Sequence, residues 1–343
     1  MIDWITAEIP ITHVPLAHGL IQKITEHGEI EWETPCRHNV TGSWESSIAI
    51  RSTGADGDGL ARYLQFSGNP SKFLQGHNVI GSDNLIPLMQ AAIVKVLSIV
   101  GLDLTWQEAD RIASGAYKVT RVDINYMYSL PTQSDVVSWI RAAEYSSRTR
   151  HGRPQSKGGT LYWGKNSRRW AVKAYSKFDE IKKHKLPDAL LSSGLAEYSE
   201  AKLRLEVVLR GMELKDRGIA SAIAICEYGV TRLYNEYIKK IEMAENMRLS
   251  TDKMNDLPSR LLGTYKLWCH GEVLSESLSK ATYYRHRKEL LAYGVDIMTV
   301  RPSTDRSNVV PLIRVLEAQP CSTPYSLQDY CFPSLISSGN KSI

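Results

Sequence analysis

The sequence predicts an α+β protein: a mainly antiparallel sheet with helices on one face, followed by a mostly helical C-terminal module. Three observations carry this reading. Segments with period-two alternation recur between residues 47 and 210, among them Tyr117 to Leu130 and Leu203 to Arg210. Helical segments are interspersed with them, in the order strands, helix, strand, helix, hairpin, helix, strand. After Glu213 the strand signals stop and helical patterning takes over.

The elements follow in order. Ser47 to Arg51 and Ala61 to Phe66 carry strand-type residues around the loop Ser52 to Gly59. That loop holds Asp56 and Asp58 but no glutamate at the calcium-ligand position, so it reads as a turn. Asp83 to Val100 reads as a buried helix capped by Ser82 or Asp83, and a short helix follows from Thr105. Ser134 to Tyr145 is an amphipathic helix opened by Pro131 and Thr132. Thr160 to Trp163 and Arg169 to Phe178 flank Gly164-Lys165-Asn166-Ser167, a hairpin signature. Asn246 to Ser259 is polar, contains Pro258 and reads as a linker. Leu261 to Trp268 and Leu278 to Ala292 resemble two helices joined by a short turn, as in a helix-turn-helix. The tail from Gln319 is rich in Pro, Ser and Cys and reads as loosely ordered. The expected division is residues 1–215, 216–320 and 321–343.

Composition narrows the class. A chain of 343 residues suggests two domains, and 43% hydrophobic residues supply a core without disulfides or metals. None of the five cysteines sits at CxxC spacing, which argues against a structural zinc site and fits free thiols in a reducing cytoplasm. The first ten residues lack a basic and apolar leader pattern. The longest apolar segment, Leu85 to Val100, is interrupted by Pro87, Gln90 and Lys95 and is too short to span a bilayer, so no membrane partner is expected. The net charge of +5 permits nucleic acid without demanding it. Between Arg148 and Lys185 basic residues crowd, and Asp179 and Glu180 are the only acidic residues in the stretch. A run of this kind is usually a solvated surface. Its overlap with strand sequence favours a surface that faces phosphate.

Strand alternation sorts side chains by face. Arg121, Asp123 and Asn125 share one face, opposite Val122, Ile124 and Tyr126. Arg204, Glu206 and Arg210 share another, opposite Leu203, Leu205, Val207 and Leu209. Arg169, Lys173, Tyr175, Lys177 and Asp179 form a third, opposite Trp170, Val172, Ala174 and Phe178. One such strand is an ordinary sheet with a wet side. Three of them can gather two carboxylates, a tyrosine and several cations, an inventory suited to phosphoryl transfer. Carboxylates hold a divalent ion, cations steady phosphate oxygens and a hydroxyl attacks.

Several motifs resemble the filamentous-phage replication initiator family, the gene II/gene X proteins. They are Gly68-Asn69-Pro70-Ser71-Lys72-Phe73-Leu74-Gln75-Gly76-His77-Asn78-Val79-Ile80-Gly81; Arg121-Val122-Asp123; Ser167-Arg168-Arg169-Trp170-Ala171-Val172-Lys173-Ala174-Tyr175-Ser176-Lys177; and Leu203-Arg204-Leu205-Glu206 with Arg210-Gly211-Met212-Glu213-Leu214. Ala281-Thr282-Tyr283-Tyr284-Arg285-His286-Arg287, Tyr293-Gly294-Val295-Asp296-Ile297 and Asn308-Val309-Val310-Pro311-Leu312 follow in the family's order.

The resemblance implies a replication-initiator nuclease fold and an enzyme of the bacterial host cytoplasm that nicks and rejoins phage or plasmid origin DNA. The family's tyrosine, which becomes joined to the 5′ phosphate and leaves a 3′ hydroxyl for a host polymerase, falls on Tyr175. A host helicase is a further implied partner. Many rolling-circle nucleases bind metal through His-x-His, which this sequence lacks. Ligands for Mg2+ or Mn2+ would then be a histidine plus carboxylates, and the polar strand faces together with the resemblance imply Asp123 and Glu206, with His77 as the third. By themselves, His77 reads as a loop histidine and the two carboxylates as surface ion-pair partners. Lys177 is expected beside Tyr175 on the strand, with Lys173 the second choice. Arg121, Arg168, Arg169, Lys173 and Arg204 are expected to contact DNA, as are Tyr284, Arg285 and Arg287 on the basic helix. Two rivals remain: a repressor-like protein that binds DNA without cutting it, and a nuclease that uses water.

Overall fold

The computed structural model describes residues 1–332 except 17–18, 56, 244–253, 271, 294, 296 and 298–311. Most of the expected linker from Asn246, and the Asn308 to Pro311 match, lie outside these residues, as do residues 333–343 of the tail. The chain opens with β1 (Ile2–Ile9), the exposed hairpin β2 (Leu20–Ile24) and β3 (Ile30–Pro35), then β4 (His38–Thr41), β5 (Ser47–Ala55) and β6 (Ala61–Gly68). Three helices follow: α1 (Pro70–Gln75), α2 (Leu85–Val100) and α3 (Trp106–Ala113). Next come β7 (Lys118–Ser129), α4 (Gln133–Ser146), the short β8 (Ser147–Arg148) and β9 (Gln155–Lys157), β10 (Thr160–Trp163) and β11 (Trp170–Ser176). Then α5 (Lys177–His184), α6 (Leu195–Tyr198) and β12 (Lys202–Arg210) lead to α7 (Gly211–Asp216), α8 (Ala222–Tyr228) and α9 (Val230–Ile238).

Nine strands form one sheet in the order β4-β5-β6-β1-β7-β12-β11-β10-β9, every neighbouring pair antiparallel. The N-terminal strand is central, between β6 and β7. One face is apolar: Val122, Ile124, Val172, Val207 and Leu209 join a core with Leu88, Met89, Ile93 and Val96 of α2 and with Leu233, Tyr234 and Tyr237 of α9. Leu214, Ala222 and Ile225 belong to the same core, so α7 to α9 complete the first unit beyond the boundary expected at residue 215. A separate core around Leu261, Tyr265, Trp268, Tyr283 and Leu290 holds the C-terminal helices α10 (Ser259–Cys269), α11 (Leu274–Ser277) and α12 (Lys280–Ala292).

Local chemistry explains several helix starts. Thr105 and Thr132 each form a reciprocal capping box, with Glu108 and Asp135, and satisfy the free amides of α3 and α4. Helix α2 begins at Leu85 rather than at the expected cap residues. Asp83 is otherwise engaged, pairing with the Met1 ammonium at 2.8 Å and accepting from the Tyr126 hydroxyl at 2.6 Å. The tail expected to be loose is packed as far as Phe332. Leu327 sits among Val79, Ile80, Met127, Leu190 and Leu195, and Phe332 reaches the main core. Burial of these two apolar side chains outweighs the Pro- and Ser-rich composition around them.

Candidate active site

The polar face of the four central strands carries the site. Cross-strand register aligns Lys173 of β11 with Glu206 of β12, and Glu206 with Asn125 of β7. Tyr175 lies two residues from Lys173, on the same face. In β1 the register slips between Ile2 and Trp4, two steps of β1 facing one of β7, so Asp3 is the extra residue of a bulge. Bulges re-aim side chains beside sites. Here Asp3 joins Asp123, Glu206, Lys173 and Tyr175 around an open cavity of about 980 Å³. Arg121, Arg141, Lys182 and Lys183 also line it, together with Glu144, Asp179 and Glu180, so its outer part carries both cations and acids.

The Gly68 to Gly81 motif holds this floor in place. Asn69 caps α1 by accepting from the Lys72 amide, Pro70 occupies the first helical turn and Gly76 ends the helix at φ 80°. A Cβ at Gly76 would approach the Trp44 ring to 2.8 Å as well as meeting an unfavourable φ. Asn69 Nδ2 and Asn78 Nδ2 donate to Asp3 Oδ1 at 2.6 and 2.9 Å. Lys177 Nζ donates to Asn78 Oδ1 at 2.7 Å and pairs with Glu180. Arg204, fully buried, donates to the carbonyls of Asn78 and Val79 at 2.6 and 2.5 Å. The motif is thus a brace from α1 through Asp3 to β12.

The polar groups of this face form one network of hydrogen bonds and ion pairs. The Tyr175 hydroxyl donates to Glu206 Oε2 at 3.2 Å, and Lys173 Nζ donates to Glu206 Oε1 at 2.5 Å while standing 3.7 Å from Asp123 Oδ2. Arg121 grips Asp123 with two bonds of 2.8 and 2.6 Å. Burial, with the charge of Glu206, pushes the Tyr175 phenol well above its ordinary value. Burial also raises the Glu206 carboxyl to about 7; Lys173 opposes this, and Asp3 and Asp123 add to it. Burial works against the Lys173 ammonium, but the two carboxylates outweigh it and hold its pKa above the usual lysine value.

Other expected site residues fall elsewhere. Strand β11 ends at Ser176, whose hydroxyl caps α5, so Lys177 opens a helix instead of continuing the strand. Lys173 is the lysine beside the Tyr175–Glu206 bond. Burial and the charge of Arg204 lower Lys177 to about 8. His77 is buried beneath the tail: Nε2 donates to the Tyr330 carbonyl at 3.0 Å and Nδ1 accepts from the Val79 amide at 3.3 Å. Burial, with a smaller part from Lys177 and Arg204, lowers its pKa to about 4, so the ring is neutral. Arg204 faces the loop and not the solvent. Arg169 pairs with Glu213 and Asp216 outside the cavity, and Arg168 is exposed. In the C-terminal module Tyr284 and Arg285 are exposed and Arg287 is half-buried, on the helix that begins at Lys280.

Sequence reasoning missed Asp3 and Asn78 as site residues. The one signal for Asp3 was an acid, one of two with Glu8, within the strand pattern of Ile2 to Ile9. Among the described residues no three His, Cys, Asp or Glu side chains form a ready metal cluster. What fits a hard cation is the pair Asp123 and Glu206, which already takes the Lys173 ammonium between its carboxylates. Asn125, opposite Glu206, is buried, and its Oδ1 and Nδ2 have no hydrogen-bond partner among the described residues.

Comparison with known sequences places this fold and site in a DNA replication protein of phage type. The model of the N-terminal family of the phage replication-associated protein, the gene II product, matches residues 1–247, and that of its C-terminal family matches residues 250–331. The replication-associated protein of Enterobacteria phage I2-2 is 46% identical over 338 residues, covering 97% of this chain and 98% of that protein. The chain belongs to this replication-associated protein family, the filamentous-phage replication initiators. No helix among the described residues is long and apolar enough to cross a membrane.

Proposed function

We propose that this replication initiator nicks one strand of its origin DNA by attack of Tyr175 on a backbone phosphate, and that the nick starts rolling-circle replication. The observation that carries the reading is the Tyr175 hydroxyl donating to Glu206 inside an open cavity that Lys173 and Arg121 also line. A phenol this strongly protonated needs a proton acceptor before it can attack. Glu206, raised to about 7, is matched to that task near neutral pH. Lys173 and Arg121 steady the phosphate oxygens and the charge left behind. Asp3, clamped by Asn69 and Asn78, fixes the floor on which Glu206 stands. Asp123 and Glu206 would hold Mg2+ or Mn2+ with Lys173 displaced from between them. Such an ion would polarise the phosphate and ease departure of the 3′ oxygen. A phosphotyrosine link conserves the energy of the broken diester, so rejoining needs no ATP. The freed 3′ hydroxyl is the primer for a host polymerase, with a host helicase opening the duplex ahead.

The experiment is Tyr175→Phe with supercoiled origin DNA, magnesium and a denaturing gel. The variant should bind origin DNA and form no covalent adduct. An adduct that persists, or nicking without any adduct in the wild type, would overturn the nucleophile. The second outcome would favour attack by water.

A further inference from the structure

A single tyrosine leaves the reaction unfinished. Once Tyr175 carries the 5′ end of the strand, it cannot attack the regenerated origin when replication has gone once round the circle. Attack by water would cut that junction but would discard the diester energy needed to rejoin it. A second protein hydroxyl within reach of the same phosphate solves both problems.

Two of the residues lining the cavity are tyrosines, Tyr175 and Tyr162. Tyr162 lies on β10, directly across from Lys173. Directly paired residues share a face, and Tyr175 is two residues from Lys173, so the two tyrosines are diagonal neighbours about 7–8 Å apart. Tyr162 is half-buried, and its hydroxyl has no hydrogen-bond partner among the described residues. Its ring lies under Lys165 Nζ, 5.4 Å from the centroid. The tyrosines of the opposite face are committed: Tyr128 to Tyr234, Tyr237 to Glu213 and Tyr126 to Asp83. Tyr283 is buried in the C-terminal core and Tyr284 lies on its outer surface.

We propose that Tyr162 is the second nucleophile, which cuts the regenerated origin so that the circle can close. The inference rests on Tyr175 being the first. In the closing step the Tyr162 oxygen bonds to the junction phosphorus and the phosphorus–O3′ bond breaks. The leaving 3′ oxygen takes up the proton that the Tyr162 phenol gives up. The new 3′ hydroxyl then attacks the Tyr175 diester, forming a phosphorus–O3′ bond and returning the Tyr175 oxygen to phenol. Each bond broken is replaced by one of the same kind, so no oxidant, reductant or nucleotide is consumed.

The test uses full-length protein with Tyr175 already joined to a labelled origin oligonucleotide, then given a second uncut origin strand. Trypsin separates the candidates, since Tyr162 falls in the peptide 158–165 and Tyr175 in 174–177. The second strand should map to 158–165, and Tyr162→Phe should lower the ratio of strand joining to first-adduct formation by more than about a hundredfold. An unchanged ratio in Tyr162→Phe overturns the proposal. So does a large loss in Tyr162→Ala that Phe restores, which would make Tyr162 a stacking platform for a base. If Tyr175→Phe still forms the first adduct, the reading of Tyr175 fails instead, and that arm reports before the second strand is added.

Discussion

Glu206→Gln removes one negative charge from a buried cluster with almost no change in volume. In the wild type the Glu206 carboxyl is raised from 4.5 to about 7, chiefly by burial. The folded protein therefore keeps this proton to a higher pH than the unfolded chain does. The resulting stability is complete below 4.5 and is lost as pH rises towards 7. At about 1.4 kcal/mol per pH unit the shift corresponds to about 3 kcal/mol. Glutamine does not titrate, and Lys173, its pKa raised above the usual lysine value, remains charged through this window. The stability of wild type minus variant should therefore fall by about 3 kcal/mol between about pH 4 and about pH 8. Urea unfolding at steps of pH, in EDTA, measures it. A difference that stays constant to within about 0.5 kcal/mol would refute the argument that burial and neighbouring carboxylates raise Glu206.

The same carboxyl should be needed for nicking: Glu206→Gln should keep DNA binding and lose adduct formation, and full activity in that variant would remove Glu206 from proton acceptance and from metal binding alike. Asp123→Asn should keep DNA binding and lose nicking; full cleavage by this variant in EDTA would exclude the metal role. His77→Ala should cost about 1–3 kcal/mol and expose the tail before Phe332 to protease, because the Tyr330 carbonyl loses its donor. Loss of Mn2+ affinity in His77→Ala with the tail still protected would instead make His77 a ligand. Arg285→Ala and Arg287→Ala should each lower the salt slope of binding by about one unit if they contact phosphate, or cost about 1–3 kcal/mol at the origin alone if they contact bases. Unchanged affinity and preference in both would make the C-terminal helices structural.

The sequence by itself determined the class of fold and most of the reactive face. Alternation is a local property, so Asp123, Glu206, Lys173 and Tyr175 could be assigned to polar faces of their strands, and the register confirms that these faces coincide. Helix ends were legible where caps are local, as at Thr105 and Thr132. The signals for α1, an Asn-Pro start and a Gly stop, are equally present, although the sequence reading assigns no helix there. What tertiary structure alone decided depends on contacts distant in sequence. A bulge in β1 turns Asp3 into the site, and bulges leave no mark in composition. The cap that Ser176 gives α5 is local, an acceptor for the Asp179 amide; what only the fold decides is that Lys177, once in the helix, meets Asn78, 99 residues away. His77 meets Tyr330, 253 residues away, only because Leu327 and Phe332 bury themselves on the first unit. Local pattern fixes which way a side chain points; which partner it meets there is set by burial across the whole chain.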